Sequence, residues 1–548
     1  MLKILTKHSN RGFKMNFKLH KLVVATLAGS FLLGFGANAM ADSTDDIVNA
    51  LMAKGVLTEE EGALLLKGRV GEKEAAEKKK ESAVSAKFKD GLSFESGDGS
   101  FKASINGRVH ADYRFFDYND GSTNFLTVPV PAAITFNGTN AAAVTANTAA
   151  IAAANATNNA RVGNSIANTN GVTDTFDIRR ARLGFKVAFK DYYEAEVQAD
   201  LANTTTLELG YLNVAWWKPV QFRFGQFKMP MSLEELTSSN NIDFMERSFV
   251  NQIVPKVEIG LMVHGTPFTG VTYALAGSNG NGKSAESDIR EDGKDIMGRV
   301  TANFAEIMEI KDMVLHAGVS YSQGDLPEGS AGVSGRTEGR GTTFFRAPVL
   351  ANAATTFDGI DRSRLGLEGA VAYGPFKVQT EWMQLNEDFS TVNGAVKRNY
   401  DLDTDNWYIQ ALWTITGEAY ADAYKSGIFG GLKPKNDFDP TTFKGGLWEL
   451  GLRYSEFDAS DYNSAGIEQG TTLGANDARI TTKAAGFAKA NAWTAGVKFL
   501  PTANTRLMLN YVDTSFKDVI GGASGGVIVN NKRVDDEKAL IMRAQWMF

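Results

Sequence analysis

The cationic side chains of this chain recur at every second or fourth position in stretches whose alternate residues are apolar. Between Phe101 and Phe115 the even positions include Lys102, Asn106, Arg108, His110, Asp112 and Arg114, while Ile105, Val109, Tyr113 and Phe115 hold odd ones. The order returns with Arg180, Arg182 and Lys186 against Leu183, Phe185, Val187 and Phe189. A period of two places the two sets on opposite faces of a β-strand. Arg223 lies in a later alternating stretch, and Arg453, Lys498, Arg506 and Arg543 fall in the last four. If the sheet closes on itself, its first and last strands are neighbours and these cations share one wall. Glu194, Glu196, Asp200 and Glu208 would form an acidic sector beside it. Guanidinium groups stay charged and offer forked donors to oxyanions, and a row of them lowers the cost of moving an anion through a constriction. Pairing with nearby carboxylates, which would only stiffen the wall, fits the spacing equally well.

Other motifs carry less chemistry. Gly277–Ser284 matches a phosphate-cradling loop letter for letter, but a charged segment and another strand follow it instead of an apolar helix, so a flexible loop is the better reading. Asp401–Asn406 begins like a calcium loop and has Leu412 where the bidentate Glu belongs. His110, His264 and His316 occupy inward strand positions without metal-ligand spacing. No metal, no cofactor and no covalent step are expected.

The elements that would position these residues are β-strands. Leu540, Met542, Ala544, Trp546 and Phe548 alternate with Arg543 and Gln545 up to the terminal aromatic residue, which suits the last strand of a barrel with a lipid face and a wet face. Some sixteen alternating stretches run from Phe101 onward, and short links such as Lys190-Asp191 and Gly374-Pro375 tend to alternate with long ones such as 229–255 and 323–361. Short turns on one side and long loops on the other are the habit of outer-membrane barrels. Residues 118–173, rich in Ala, Asn and Thr and nearly uncharged, read as a long surface loop. The connection 417–444 is long yet falls on the short-turn side, and no physical reason for it is visible in the sequence.

Ahead of the strands, Ile47, Leu51 and Met52 have helical spacing, and Thr58 with Glu61 forms a capping-box pattern. Gly71–Lys89 reads as a solvated helix or linker. Residues 1–41 hold six basic residues and no acidic one, with an apolar run Leu22–Phe35 and small residues at Ala39 and Ala41. This is the pattern of a secretory signal cut after Ala41 or, second, Ala39, and Met15 could serve as its start. Of 57 basic and 63 acidic residues, removal of six basic ones leaves 51 against 63, a formal charge of −12, which argues against a nucleic-acid partner. The chain has no cysteine, and a large closed sheet needs no disulfide staples. The expected organisation is a signal over 1–41, a periplasmic helical and linker segment over 42–100, and a transmembrane barrel over 101–548.

Phe224–Ser239 continuing to Phe244-Met245-Glu246-Arg247, together with Arg179–Phe185, Trp448–Ser455 and Arg506–Tyr511, resembles the phosphate-selective porin O and P family. The resemblance implies an all-β fold, a sixteen-stranded antiparallel barrel in the outer membrane of a Gram-negative cell, and assembly as a homotrimer surrounded by lipid. It also implies that the loop after the fifth strand, 229–255, folds inward as a constriction, with Lys228 at its root and Arg247 and Lys256 toward its end. That loop carries Glu234, Glu235, Asp243 and Glu246, so its charge is mixed. The expected function is passive diffusion of small hydrophilic solutes, preferably anions and phosphate among them. The alternatives are a general or weakly cation-selective porin, or a structural or adhesin barrel.

Overall fold

The computed structural model describes residues 48–49, 51–55, 57–64, 66–67, 84–88, 91–119, 125, 129–135, 137–168, 174–280, 282–283, 294–326, 332–350, 360–393, 396–464, 480–482 and 484–548. Residues up to Ala83 form one unit and Val84–Phe548 another. In the first unit the capping box forms: Thr58 Oγ1 accepts from the Glu61 amide at 3.2 Å, and the Thr58 amide donates to Glu61 Oε2 at 3.0 Å. The signal expected over 1–41 lies outside the described residues.

Sixteen strands build the barrel of the second unit: β1 (Phe101–Asp117), β2 (Thr175–Phe189), β3 (Tyr193–Asp200), β4 (Thr206–Val214), β5 (Gln221–Lys228), β6 (Val257–Phe268), β7 (Val271–Ser278), β8 (Asp295–Asn303), β9 (Met313–Leu326), β10 (Ile360–Tyr373), β11 (Phe376–Asn393), β12 (Val396–Thr414), β13 (Leu447–Asp458), β14 (Ala485–Thr502), β15 (Thr505–Val519) and β16 (Asp536–Met547). Each pairs antiparallel with the next. The pairing of β16 with β1, in which Trp546 stands opposite Val109 and Leu540 opposite Phe115, closes the sheet. Closure removes the free edges that an open sheet would expose. Outward positions are exposed Leu, Val, Phe, Tyr and Trp, as in Leu365, Leu367 and Val371 of β10, and the positions between them are buried. Asp401–Asn406, the would-be calcium loop, is extended strand within β12.

Three segments differ from expectation. Val84–Phe88 and Leu92–Ser96, expected in the helix or linker and ahead of the barrel, form a hairpin whose second strand pairs Leu92 with Ile105 and Glu95 with Lys102. Asp90-Gly91 between two alternating runs is a hairpin signal, and Gly91 has φ +121° against the Ile105 carbonyl. This hairpin takes the edge of β1 that β16 leaves vacant, just beyond the point where Phe548 exchanges backbone hydrogen bonds with Gly107 at 2.8 and 3.0 Å. Residues 71–83 lie outside the described ones. In the insertion 118–173, Ala141–Asn164 is a helix of 24 residues and Ser165–Asn168 pairs in parallel with Gly526–Val529. Alanine favours helix without any amphipathic period, and a search for periodicity passes over such a segment.

The third is the misfit connection after β12. It turns back into the barrel, where Tyr420 and Phe429 pack with Leu233, Val314, Ala370, Ala372 and Leu412. Its length reflects that inward course. The barrel interior is therefore lined by apolar packing as well as by charge. Along β11–β15 the inward positions Met383, Leu385, Tyr408, Phe457 and Phe516 are apolar or aromatic and pack against Phe249, Phe344 and Phe345 of infolded loops. Along β1–β4 the inward positions are mostly charged or polar, and β11–β15 add the buried charges of Lys377, Glu381, Arg453, Lys498 and Arg506.

Candidate functional site

Residues 229–256, between β5 and β6, cross the barrel interior and are tied to the wall at several points. Ser232, at φ +65°, opens a short helical turn over Leu233–Leu236 and accepts from the Glu235 amide at 3.1 Å. The amides of Leu233 and Glu234 donate to the Glu381 carboxylate of β11 at 2.9 and 2.7 Å. Asp243 pairs with Lys377 at 2.7 Å, and the Met245 amide donates to Asn510 Oδ1 at 2.8 Å. Between these anchors the Phe244 ring lies against Gly451 and Gly496, where an added Cβ would stand 2.9 and 3.0 Å from it. His110 meets Asn240 at 3.2 Å. His264 meets Asn213 at 2.9 Å, and His316 meets the Tyr424 hydroxyl at 2.7 Å. All three histidines are polar wall residues.

Most of the inward cations have carboxylate partners. Arg543 meets Asp112 at 2.6 Å, Arg114 meets it at 2.7 Å, and Lys498 meets Glu449 at 2.6 Å. Arg182 lies 2.8 Å from Asp200 and 3.0 Å from Glu208. Arg453 reaches Glu234 at 3.2 Å and, at 2.6 Å, Glu338 of the loop after β9. Lys186 and Glu194 are partly exposed, 3.7 Å apart. Lys228 and Arg247 hold the infolded loop: Lys228 lies 3.5 Å from the Glu235 carboxylate and Arg247 lies 3.3 Å from it, and both also donate to the Thr237 carbonyl.

Four of the expected lining cations have no carboxylate at ion-pairing distance among the described residues. Arg108 donates to Ser239 Oγ at 2.9 Å and to Ser238 Oγ at 3.4 Å. Arg180 leaves Nε and Nη1 without a hydrogen-bond partner. Arg223 stacks on the Tyr211 ring at 4.5 Å. Arg506 donates to Asn241 at 3.0 Å.

Arg108 and Arg180 open onto a cavity of about 600 Å³ bounded by β1–β4, residues 228–257 and residues 334–340. Ten cations and six carboxylates line it, a surplus of four positive charges. Five of these cations and one carboxylate were not among the expected lining residues. Arg179 is turned inward by a bulge in which His110 and Ala111 of β1 face Arg180 and Ile178 of β2 and leave Arg179 unpaired. Arg336, Arg340 and Glu338 come from the loop after β9, and no local pattern shows that it folds inward. Lys283, the lysine of the false phosphate-loop match, contacts the Glu208 carboxylate. Lys256 was placed at the end of the constriction loop rather than on the wall.

Electrostatics of the loop residues follow from this crowding. Burial resists ionisation of Glu235, but Arg247 and Lys228 outweigh it and hold the carboxyl at about 2. Glu246 is likewise buried, and Arg179, Arg340, Arg543 and Arg114 hold it well below the usual carboxylate range. Burial pushes Arg340 down to about 10 against the pull of Glu246, with Arg179 adding to the decrease. The arrangement can attract and coordinate an oxyanion in passing.

Residues 158–548 match the model of the family described as phosphate-selective porin O and P. The chain is similar to Porin O of Pseudomonas aeruginosa, with 26% identity over 84% of this chain and 92% of that protein. Among solved structures it is similar to an anion-selective porin from Comamonas acidovorans, at 12% identity and a TM-score of 0.44 over 82% of this chain and 100% of that one. It is also similar to the outer membrane channel DcaP of Acinetobacter baumannii, at 10% identity and a TM-score of 0.41 over 83% of this chain and 99% of that one. The chain therefore belongs to the phosphate-selective porin O and P family and is an outer-membrane porin.

Proposed function

We propose that this porin passes small hydrophilic anions by passive diffusion, along the side of the barrel bounded by β1–β4, with residues 229–256 as its narrowing. The observation that carries the reading is the cavity beside that loop, where ten cations face six carboxylates and the guanidinium groups of Arg108 and Arg180 have no carboxylate partner among the described residues. Glu234, Glu235, Asp243 and Glu246 are engaged by Arg453, Arg247, Lys377 and Arg179, so the loop's acidity is spent inside the protein. An uncompensated cation in a narrow, poorly hydrated passage favours anions and excludes cations. Phosphate is the first oxyanion to test, because the family's description names it and because a guanidinium fork matches its oxygens.

The rest of the reading has sequence support. The basic stretch and apolar run within 1–41 direct export. The segment expected over 42–100, of which Val84–Phe88 and Leu92–Ser96 join the sheet, is assigned to the periplasmic side, and the porin works as a homotrimer, by family resemblance. Reversal potentials of purified channels in a salt gradient, repeated with phosphate against chloride, test the core claim. Anions should permeate faster than cations. A cation preference would remove it and leave the alternative of a general porin, and a barrel that passes no ions would favour the structural or adhesin alternative.

A further inference from the structure

The geometry points to a second, non-permeating anion site: a single halide-sized anion held between Arg506 and Tyr420, where residues 229–256 and the inturned connection after β12 meet the wall. A cavity of about 10 Å³ lies there, lined among others by Asp243, Lys377, Tyr420, Glu449, Lys498 and Arg506. That volume is about the least that one water needs, and chloride, which is larger, enters only as the lining side chains give way slightly.

Charge decides between the two occupants. Lys377 is taken up by Asp243 at 2.7 Å and Lys498 by Glu449 at 2.6 Å. These two pairs use both carboxylates of the cavity at ion-pair distance, so Arg506, which feels Glu449 and Asp243 from farther off, has no carboxylate of its own. Arg506 is 2% exposed and its one hydrogen bond among the described residues, 3.0 Å to Asn241, is to a neutral acceptor. Its Nε has no partner, and the equally buried Tyr420 hydroxyl, which lies near Glu449, makes no hydrogen bond within 3.5 Å. A water would satisfy those two donors but not the charge, and a buried charge without a counter-charge is strongly unfavourable. A small anion satisfies donors and charge together. Gly431 keeps the place open, since a Cβ there would lie 3.0 Å from Arg506 Nη2. Because the infolded loop, the inturned connection and the wall converge on the cavity, a bound anion would fasten the loop to the connection.

The test is chloride-dependent stability of the full-length protein, a readout that does not depend on ion conduction or on the permeation reading. Urea unfolding in detergent is followed by tryptophan fluorescence while sodium gluconate is replaced by sodium chloride at constant ionic strength. Above half-saturation the folded-to-unfolded ratio should rise about tenfold per tenfold increase in chloride. The dependence should vanish in Arg506→Gln and weaken in Tyr420→Phe. If Arg506→Gln does not fold, wild-type crystals soaked in bromide give the same answer, with an anomalous peak expected within hydrogen-bonding distance of Arg506 Nε and Tyr420 Oη. Stability indifferent to chloride, or a cavity filled by water in the presence of bromide, overturns the proposal. A bromide peak without chloride dependence marks an adventitious ion and overturns it as well.

Discussion

Arg179 Nε lies 2.8 Å from Glu246 Oε1, although strict alternation from Arg180 would have turned Arg179 toward lipid. The bulge opposite His110 and Ala111 makes the contact possible, and it joins Arg179 to a carboxylate already shared by Arg114 at 3.0 Å and Arg543 at 3.2 Å. Glu246 is thus the counter-charge of a buried basic cluster. Removing one partner of a buried ion pair costs about 3–5 kcal/mol, so Glu246→Gln should lower the unfolding midpoint by a corresponding amount. In the channels that still fold, the released cations should raise the anion-to-cation permeability ratio. A reversal potential shifted toward cations in this variant would show that Glu246 faces the permeant ions directly.

Arg108 and Arg453 should behave as opposites. Among the described residues Arg108 hydrogen-bonds only to hydroxyls, so its field reaches into the cavity. A unit charge at 4 Å is worth about 1 kcal/mol in water, and Arg108→Gln should therefore reduce anion preference roughly fivefold at low salt with little loss of stability. Arg453 is buried between Glu234 and Glu338. Arg453→Met should cost about 3–5 kcal/mol, read by heat-modifiable mobility on gels. Equal effects of the two variants on selectivity would defeat the distinction between compensated and uncompensated arginines.

Much of this could be read in the sequence because a barrel in lipid has a strict period. Val109, Phe115, Leu540 and Trp546 meet hydrocarbon, and one misplaced residue would turn a charge outward. That rule gave the number of strands and the inward side of Arg108, Arg180, Arg453 and Arg543. It gave no information on partners, because a period says which face a side chain takes and not what folds against it. Arg453 and Arg180 look alike in sequence, yet Glu338 arrives from a loop 115 residues away to neutralise the first and no carboxylate among the described residues meets the second. The inward apolar positions Met383, Leu385 and Phe457 were the available sign that the lumen is partly filled. Arg179 was hidden by a bulge, a two-against-one pairing that shifts the period without marking the sequence.

Acid should loosen the infolded loop over a defined range. Glu235 is held at about 2 in the folded protein and titrates near 4.3 when unfolded. A depressed folded value stabilises above the unfolded one, and the contribution is lost as pH falls through the folded one. Glu246 shifts in the same direction. Through Glu235 and Glu246, stability and conductance should thus fall between about pH 4.5 and 2. Glu235→Gln should lower stability at neutral pH and flatten the acid limb, as measured by urea midpoints across pH. A wild-type curve that falls between pH 8 and 6 would point to groups other than these.

The seat of Phe244 gives a test of how the loop is held. Gly451 and Gly496 face inward on β13 and β14, and each would place a Cβ within 3.0 Å of the Phe244 ring. Neither glycine has the left-handed φ that would require it for backbone reasons, so the missing side chains serve packing. Gly451→Val forces the ring off the wall at a cost of about 1–3 kcal/mol. The anchors on either side, Asp243 to Lys377 and Met245 to Asn510, oppose release of the loop, so its displacement is into the cavity. Single-channel conductance should then fall. Phe244→Ala in the same chain removes the clash, and the double variant should recover conductance and part of the stability, with a coupling energy of about 0.5–3 kcal/mol. If the two substitutions prove additive, Phe244 does not determine where the loop stands, and the width of the passage is set by the Glu246 and Glu381 anchors alone.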